Sequence, residues 1–162
     1  MAMIYISIGS NIDRERNIRG GIAALRQHFH DVRLSRVYES AAVGFAGDAF
    51  YNLVASAHTD LSVAAVVAVL HGIEDAFGRD RAGPRFSSRT LDMDLLLYDD
   101  LVQNGEGYKL PREEITHNAF VLWPLAEIAP DAEHPVLRRT YASLWQAFDR
   151  NSQHLAPVDF GC

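Results

Sequence analysis

Apolar and polar positions alternate with a period of two over Met3–Ile8. Ile4, Ile6 and Ile8 share one face, so the chain opens with a strand. Gly9-Ser10-Asn11 is expected to end it in a tight turn, with Asp13 capping the next element. Ile18, Ile22, Leu25 and Phe29 then recur at helical spacing and predict an amphipathic helix over residues 14–29. Gly20-Gly21 weakens that helix and is expected to mark close packing. Val32–Tyr38 reads as a second strand of less regular pattern, followed by an alanine- and glycine-rich loop over 39–49. Phe50–Thr59 is a third strand, with Phe50, Asn52 and Val54 on one face and Tyr51, Leu53 and Ala55 on the other. Ser62 caps a helix over 63–77, whose apolar face carries Val63, Val66, Val67, Leu70, Ile73 and Phe77 and whose stop is Gly78.

Residues Arg89–Tyr98 form the next strand, with Leu91, Met93, Leu95 and Leu97 expected on the core face and Asp92, Asp94, Leu96 and Tyr98 on the other. Beyond it come a short hairpin around Asn104-Gly105 and a helical segment begun by Pro111 that bears Ile115, Phe120 and Leu122. A further helical turn is opened by Pro124, and a last amphipathic helix carries Tyr141, Leu144, Trp145 and Phe148. The tail over 151–162 is expected to be loosely ordered. The order β-α-β-β-α-β predicts an α+β, ferredoxin-like fold in one domain over 1–162, an antiparallel sheet with helices packed on it.

Charge and cysteine content narrow the classes of function. The formal net charge of -6 argues against general binding to nucleic acid or to an anionic membrane. The only cysteine is Cys162, so the chain has no disulfide framework and no cysteine-based zinc site, as expected in a reducing cytoplasm. The opening residues read as a strand and not as a signal peptide, and no apolar run reaches the ~18 residues of a membrane span.

The chemistry gathers around Asp92 and Asp94. Two residues apart on a strand, their side chains point the same way with roughly 6.5 Å between Cα atoms. Two ionised carboxylates in an apolar strand repel, and magnesium, which takes carboxylates together with substrate phosphates, would offset them. The alternative is a solvated pair matched by arginines. Arg79, Arg81, Arg85 and Arg89 lie just upstream, a cluster that suits phosphate or, equally, a solvated loop. Asn52 offers a donor and an acceptor side by side, which matches the edge of a heterocycle or is satisfied by neighbouring backbone. Glu74, near a helix C-terminus where the macrodipole disfavours an acid, has a cationic partner or is a surface glutamate.

Ile8-Gly9-Ser10-Asn11, Phe50-Tyr51-Asn52, Glu74 with Gly78-Arg79-x-Arg81, Arg89-Thr90-Leu91-Asp92-x-Asp94 and Phe120-Val121-Leu122-Trp123-Pro124-Leu125 together resemble the 6-hydroxymethyl-7,8-dihydropterin pyrophosphokinases of folate biosynthesis. The resemblance implies diphosphoryl transfer from MgATP to the pterin hydroxymethyl group, with release of AMP, by a monomer. It implies that Asp92 and Asp94 hold two magnesium ions. Arg79, Arg81 and Arg89, with Arg85 beside them, would serve the catalytic loop and ATP site, and Glu74 would line the nucleotide site. Asn52 would bond the pterin edge, Phe50 and Phe120 would sandwich its ring, and Ser40 and Val43 would offer backbone groups to its other edge. The loops at 39–49 and 79–88 would close over the site. Where the family has Pro-His this chain has Pro111-Arg112, so that Arg112 would take over a phosphate contact. Phe86 stands in place of a tryptophan, and Asn118 in place of an arginine found in some members. The alternative is a relative that binds pterin or nucleotide without turnover.

Overall fold

The computed structural model describes residues 1–40, 49–78, 91–105 and 108–160. Its elements are β1 (Ala2–Ser10), α1 (Arg14–His28), β2 (His30–Leu34), β3 (Val37–Ser40), β4 (Phe50–Thr59), α2 (Val63–Ala76), β5 (Asp92–Tyr98), β6 (Gln103–Gly105), β7 (Tyr108–Leu110), α3 (Glu114–His117), α4 (Ala119–Ile128), α5 (Tyr141–Ala147) and β8 (Leu155–Val158). Among the described residues one six-stranded antiparallel sheet runs β5-β1-β4-β3-β8, with β2 also paired to β4, and β6-β7 forms a separate hairpin. If β2 and β3 are taken as two halves of one strand, the expected βαββαβ plan is present, with β1 at its centre.

The sheet separates two cores. Ile4, Ile6 and Ile8 of β1 meet Ile18, Ile22 and Leu25 of α1 and Val66, Leu70 and Ile73 of α2 on one side. On the other, Val54, Leu96 and Leu97 meet Ile115 of α3, Val121, Leu122 and Leu125 of α4 and Tyr141 of α5. Among the described residues no helix is long and apolar enough to cross a membrane.

Six details depart from the sequence expectation. Gly9 and Ser10 belong to β1, and the turn comes after them. Asp13 stands at the start of α1 with φ 45° and makes no side-chain cap. The second strand breaks at Ser35, whose N–H donates to the Val54 carbonyl and whose Oγ accepts from Val54 N–H; a side chain thus replaces one rung of the ladder. In β5 the pairing with β1 slips between Tyr5 and Ile6, leaving Leu96 as an extra residue. This bulge reverses the alternation. Leu97, opposite Tyr5, joins the second core, while Tyr98, opposite Ile4, packs on the first. Pro124 lies inside α4, buried, and does not open a new turn of helix; packing against the sheet carries the helix past the missing N–H. Finally, the tail is not loose, because Leu155–Val158 pairs with β3 as the outermost strand, where Pro157 is tolerated.

Close approach explains Gly20 and Gly21. A Cβ on Gly20 would lie 2.5 Å from the Phe77 ring, and one on Gly21 3.0 Å from a Leu91 methyl. Gly20→Ala should therefore destabilise the protein by about 1 kcal/mol in urea denaturation, even though alanine favours helix by a similar amount, because overpacking outweighs propensity. A more stable variant would show that Phe77 yields freely.

Candidate active site

The register of four strands builds the floor of the site. Gly9 of β1 lies opposite Asp92 of β5 on one side and Asn52 of β4 on the other, and Asn52 lies opposite Tyr38 of β3. Directly paired residues share a face. Asp92, Gly9, Asn52 and Tyr38 therefore form a row across the sheet on the side of the second core, and the next row holds Asp94, Ser7 and Val54. Gly9 keeps the row open. A Cβ there would stand 2.9 Å from Asn52 Oδ1 and 3.8 Å from the Phe50 ring. Glycine inside a strand signals such an approach, although its place in a Gly-Ser-Asn run suggested a turn.

Asn52 is 9% exposed, and its Nδ2 donates to Ser40 Oγ at 2.7 Å. Of the two readings open for this residue, neither backbone satisfaction nor a ligand accounts for that bond; a neighbouring hydroxyl does. Ser40 in turn lies opposite Phe50. Phe120, half-buried at the second position of α4, packs against the second core, on the face of the sheet that carries Asn52.

Asp92 and Asp94 do point the same way, and the bulge one residue beyond Leu95 defines their surroundings. The Leu96 carbonyl accepts from Arg112 N–H at 3.1 Å, which brings Arg112 alongside β5. Its guanidinium reaches Asp94 Oδ1 at 3.6 Å and is paired through Nε with Glu114 Oε2. Glu114 is a member of the site that sequence reading missed; nothing in its spacing distinguishes it from a surface acid of a short helix. Burial, followed by the charge of Asp92, pushes the Asp94 carboxyl up to about 7, against the pull of Arg112. The desolvation of Arg112 is more than offset by Asp94 and Glu114, so its pKa is raised.

Glu74 is 2% exposed and accepts from Met93 N–H at 2.8 Å, so the surface reading is excluded. Among the described residues β5 is an edge strand of the sheet, and Glu74 closes one of its open donors while adding negative charge near Asp94. Val43, Arg79, Arg81, Arg85, Phe86 and Arg89 lie outside the described residues. Among the described residues no three histidine, cysteine, aspartate or glutamate side chains converge as a metal cage. The donor set is two carboxylates, which suits an ion that completes its shell with water and phosphate.

The arrangement sets an acidic pair in the row of a buried amide, and comparison with known proteins shows what the chain is similar to. A family model described as 7,8-dihydro-6-hydroxymethylpterin-pyrophosphokinase (HPPK) matches residues 5–130. The 2-amino-4-hydroxy-6-hydroxymethyldihydropteridine pyrophosphokinase of Aquifex aeolicus (strain VF5) is 33% identical over 141 residues, covering 86% of this chain and 88% of that protein. The protein of the same name from Bacillus subtilis (strain 168) is 35% identical over 133 residues, covering 80% and 79%. The solved HPPK-DHPS of Plasmodium falciparum shares the fold with a TM-score of 0.71 at 13% identity over 91% of this chain, which spans 43% of that longer one.

The raised Asp94 pKa carries a stability consequence. The folded state keeps the Asp94 proton up to about pH 7, whereas the unfolded chain loses it near 3.8. Folding stability therefore falls as pH rises through that window, and the loss is complete above it. A displacement of this size corresponds to at most ~4 kcal/mol at ~1.4 kcal/mol per pH unit, which access of solvent reduces to on the order of 1–2 kcal/mol. In metal-free buffer Asp94→Asn should raise the melting temperature by a few degrees at pH 8, the gain vanishing towards pH 4. Thermal melts across pH check both the sign and the window.

Proposed function

We propose how this chain, which belongs to the 7,8-dihydro-6-hydroxymethylpterin-pyrophosphokinase family, performs that family's reaction. It is a pyrophosphokinase of folate biosynthesis, with ATP as co-substrate. The hydroxymethyl oxygen of 6-hydroxymethyl-7,8-dihydropterin bonds to the β-phosphorus of ATP. The bond from that phosphorus to the α–β bridging oxygen breaks, AMP leaves, and the hydroxyl proton is lost. The observation that carries the residue assignment is the row Asp92–Gly9–Asn52, which sets the carboxylate pair one strand away from a buried amide.

Asn52 bonds the polar edge of the pterin, in the shallow space that Gly9 leaves open. Phe50 and Phe120 cover the ring faces, since flat heterocycles gain most from aromatic contact. Ser40 holds the Asn52 amide, and with Val43 it offers backbone groups to the other edge. Asp92 and Asp94 would hold two magnesium ions, whose charge would neutralise the phosphate oxygens during transfer. Support for this comes from Asp94 itself, whose carboxyl is pushed up by burial and by the negative charges of Asp92, Glu74 and Glu114. Arg112, paired with Asp94 in the absence of metal, turns its fork to phosphate once the carboxylates are engaged. From the sequence, Arg79, Arg81, Arg85 and Arg89 are assigned to the ATP phosphates and Glu74 to the edge of the nucleotide site. The enzyme works as a monomer in the cytoplasm. Turnover is favoured over silent binding because the carboxylate pair is kept despite its electrostatic cost.

Asp92→Asn and Asp94→Asn should each lower AMP formation roughly a hundredfold or more while leaving the fold intact. A variant with near-normal magnesium-dependent turnover would sink the metal assignment. Gly9→Ala should weaken pterin binding about tenfold in calorimetry and spare the nucleotide, since one methyl group would occupy space the ring needs. Equal losses for both ligands would place the pterin elsewhere.

A further inference from the structure

We infer that the C-terminal segment Gln153–Val158 is a wall of the pterin slot, and that Gln153 is a positioning residue for Phe120. The inference rests on the slot proposed above. The helix that carries Phe120 starts without a cap of its own, because Asn118 makes no side-chain cap bond. The first N–H groups of a helix have no partner within it and need one from outside. Ala119 N–H donates to Gln153 Oε1 at 2.8 Å, and Gln153 Nε2 donates to the His117 carbonyl at 2.7 Å. One amide, 34 residues away in the chain, therefore bridges the junction between α3 and α4 next to Phe120. It fixes both the last carbonyl of one helix and the first donor of the other.

The same segment reaches the opposite wall. Leu155 pairs with Ser40 and Ala156 with Glu39, so β8 holds the end of β3. Ser40 is the residue whose hydroxyl receives the Asn52 amide. A tight turn at Asp149 aims the segment, its carbonyl accepting from both Ser152 N–H and Ser152 Oγ and its Oδ1 from Asn151 N–H. Beyond β8, Phe160 lies edge-on to Tyr51 at 5.8 Å and beneath the Arg19 guanidinium, which anchors the far end. Six residues thus connect the phenylalanine on one side of the slot to the amide-holding serine on the other. They lie past residues 5–130, the stretch matched by the family model.

The test is calorimetric titration of 6-hydroxymethylpterin into the full-length protein with Mg²⁺ and a non-hydrolysable ATP analogue present. Gln153→Ala should weaken pterin binding about fivefold, the size of one lost helix cap, and leave binding of the analogue unchanged. In a Phe120→Ala background the same change should add nothing, because the two residues act through one contact. If Phe120→Ala weakens pterin binding and Gln153→Ala does not, the role of Gln153 is overturned and the slot stands. Equal weakening of pterin and nucleotide, or an undiminished loss in the Phe120→Ala background, overturns it too by showing a general structural effect. If Phe120→Ala and Asn52→Ala both leave pterin binding unchanged, the slot falls and this inference with it.

Discussion

The repulsion between Asp92 and Asp94 is the constraint around which the rest is built. Strand geometry forces the two carboxylates to one side, and partial burial together with the charge of Asp92 pushes the Asp94 carboxyl up to about 7. Three features of the surroundings bear on this pair. The bulge at Leu96 frees a carbonyl that draws in Arg112, whose guanidinium offers Asp94 a cation at 3.6 Å. Glu114 pairs with the same guanidinium and limits how much of its charge reaches the aspartates. Glu74, held by Met93 N–H, adds a further negative charge. Among the described residues Asp92, Asp94, Glu74 and Glu114 thus gather around β5 together with Arg112.

The proposed pterin side of the site depends on shape more than charge. Gly9 lies between an aspartate and an asparagine in the same row, and the missing side chain leaves open the space beside Asn52. Because β1 is the central strand, paired on both sides, that floor is held by two ladders and cannot shift without breaking register. Asp92 and Asn52 are thereby fixed relative to each other with one strand between them. For a transfer whose catalysis is mostly positioning, a rigid separation of this kind is the main contribution the scaffold can make.

Periodicity made the alternating strands and both long helices legible, and β4 and α2 begin at the residues that the pattern indicates. It failed where the ladder departs from its own period. A bulge leaves no mark in a run of three leucines, so Leu97 and Tyr98 were placed on the wrong faces. The break at Ser35 depends on a side chain standing in for a backbone group, which hydropathy cannot register. β8 was missed because a short strand containing proline resembles a tail, and its pairing is set by an exposed edge far away in the sequence. Within the site, residue types with strong chemical preferences, Asp92, Asp94 and Asn52, were found from sequence. Gly9, Ser40 as a side chain, Glu114 and Gln153 were not, because their roles arise from what they touch and not from what they are.

Those four residues have something in common. None brings reactive chemistry, and each determines where a chemically decisive neighbour sits: Gly9 and Ser40 place Asn52, Glu114 places Arg112, and Gln153 places the start of the helix bearing Phe120. The contacts are single hydrogen bonds, ion pairs or one absent methyl group, each individually modest. Their leverage is geometric. In the proposed site a heterocycle stacked on Phe120 and bonded to Asn52 would feel any tilt of either. The supporting residues Gly9, Ser40 and Glu114 lie on β1, β3 and α3, and Gln153 lies in the bend before β8, reached only from the C-terminal end of the chain.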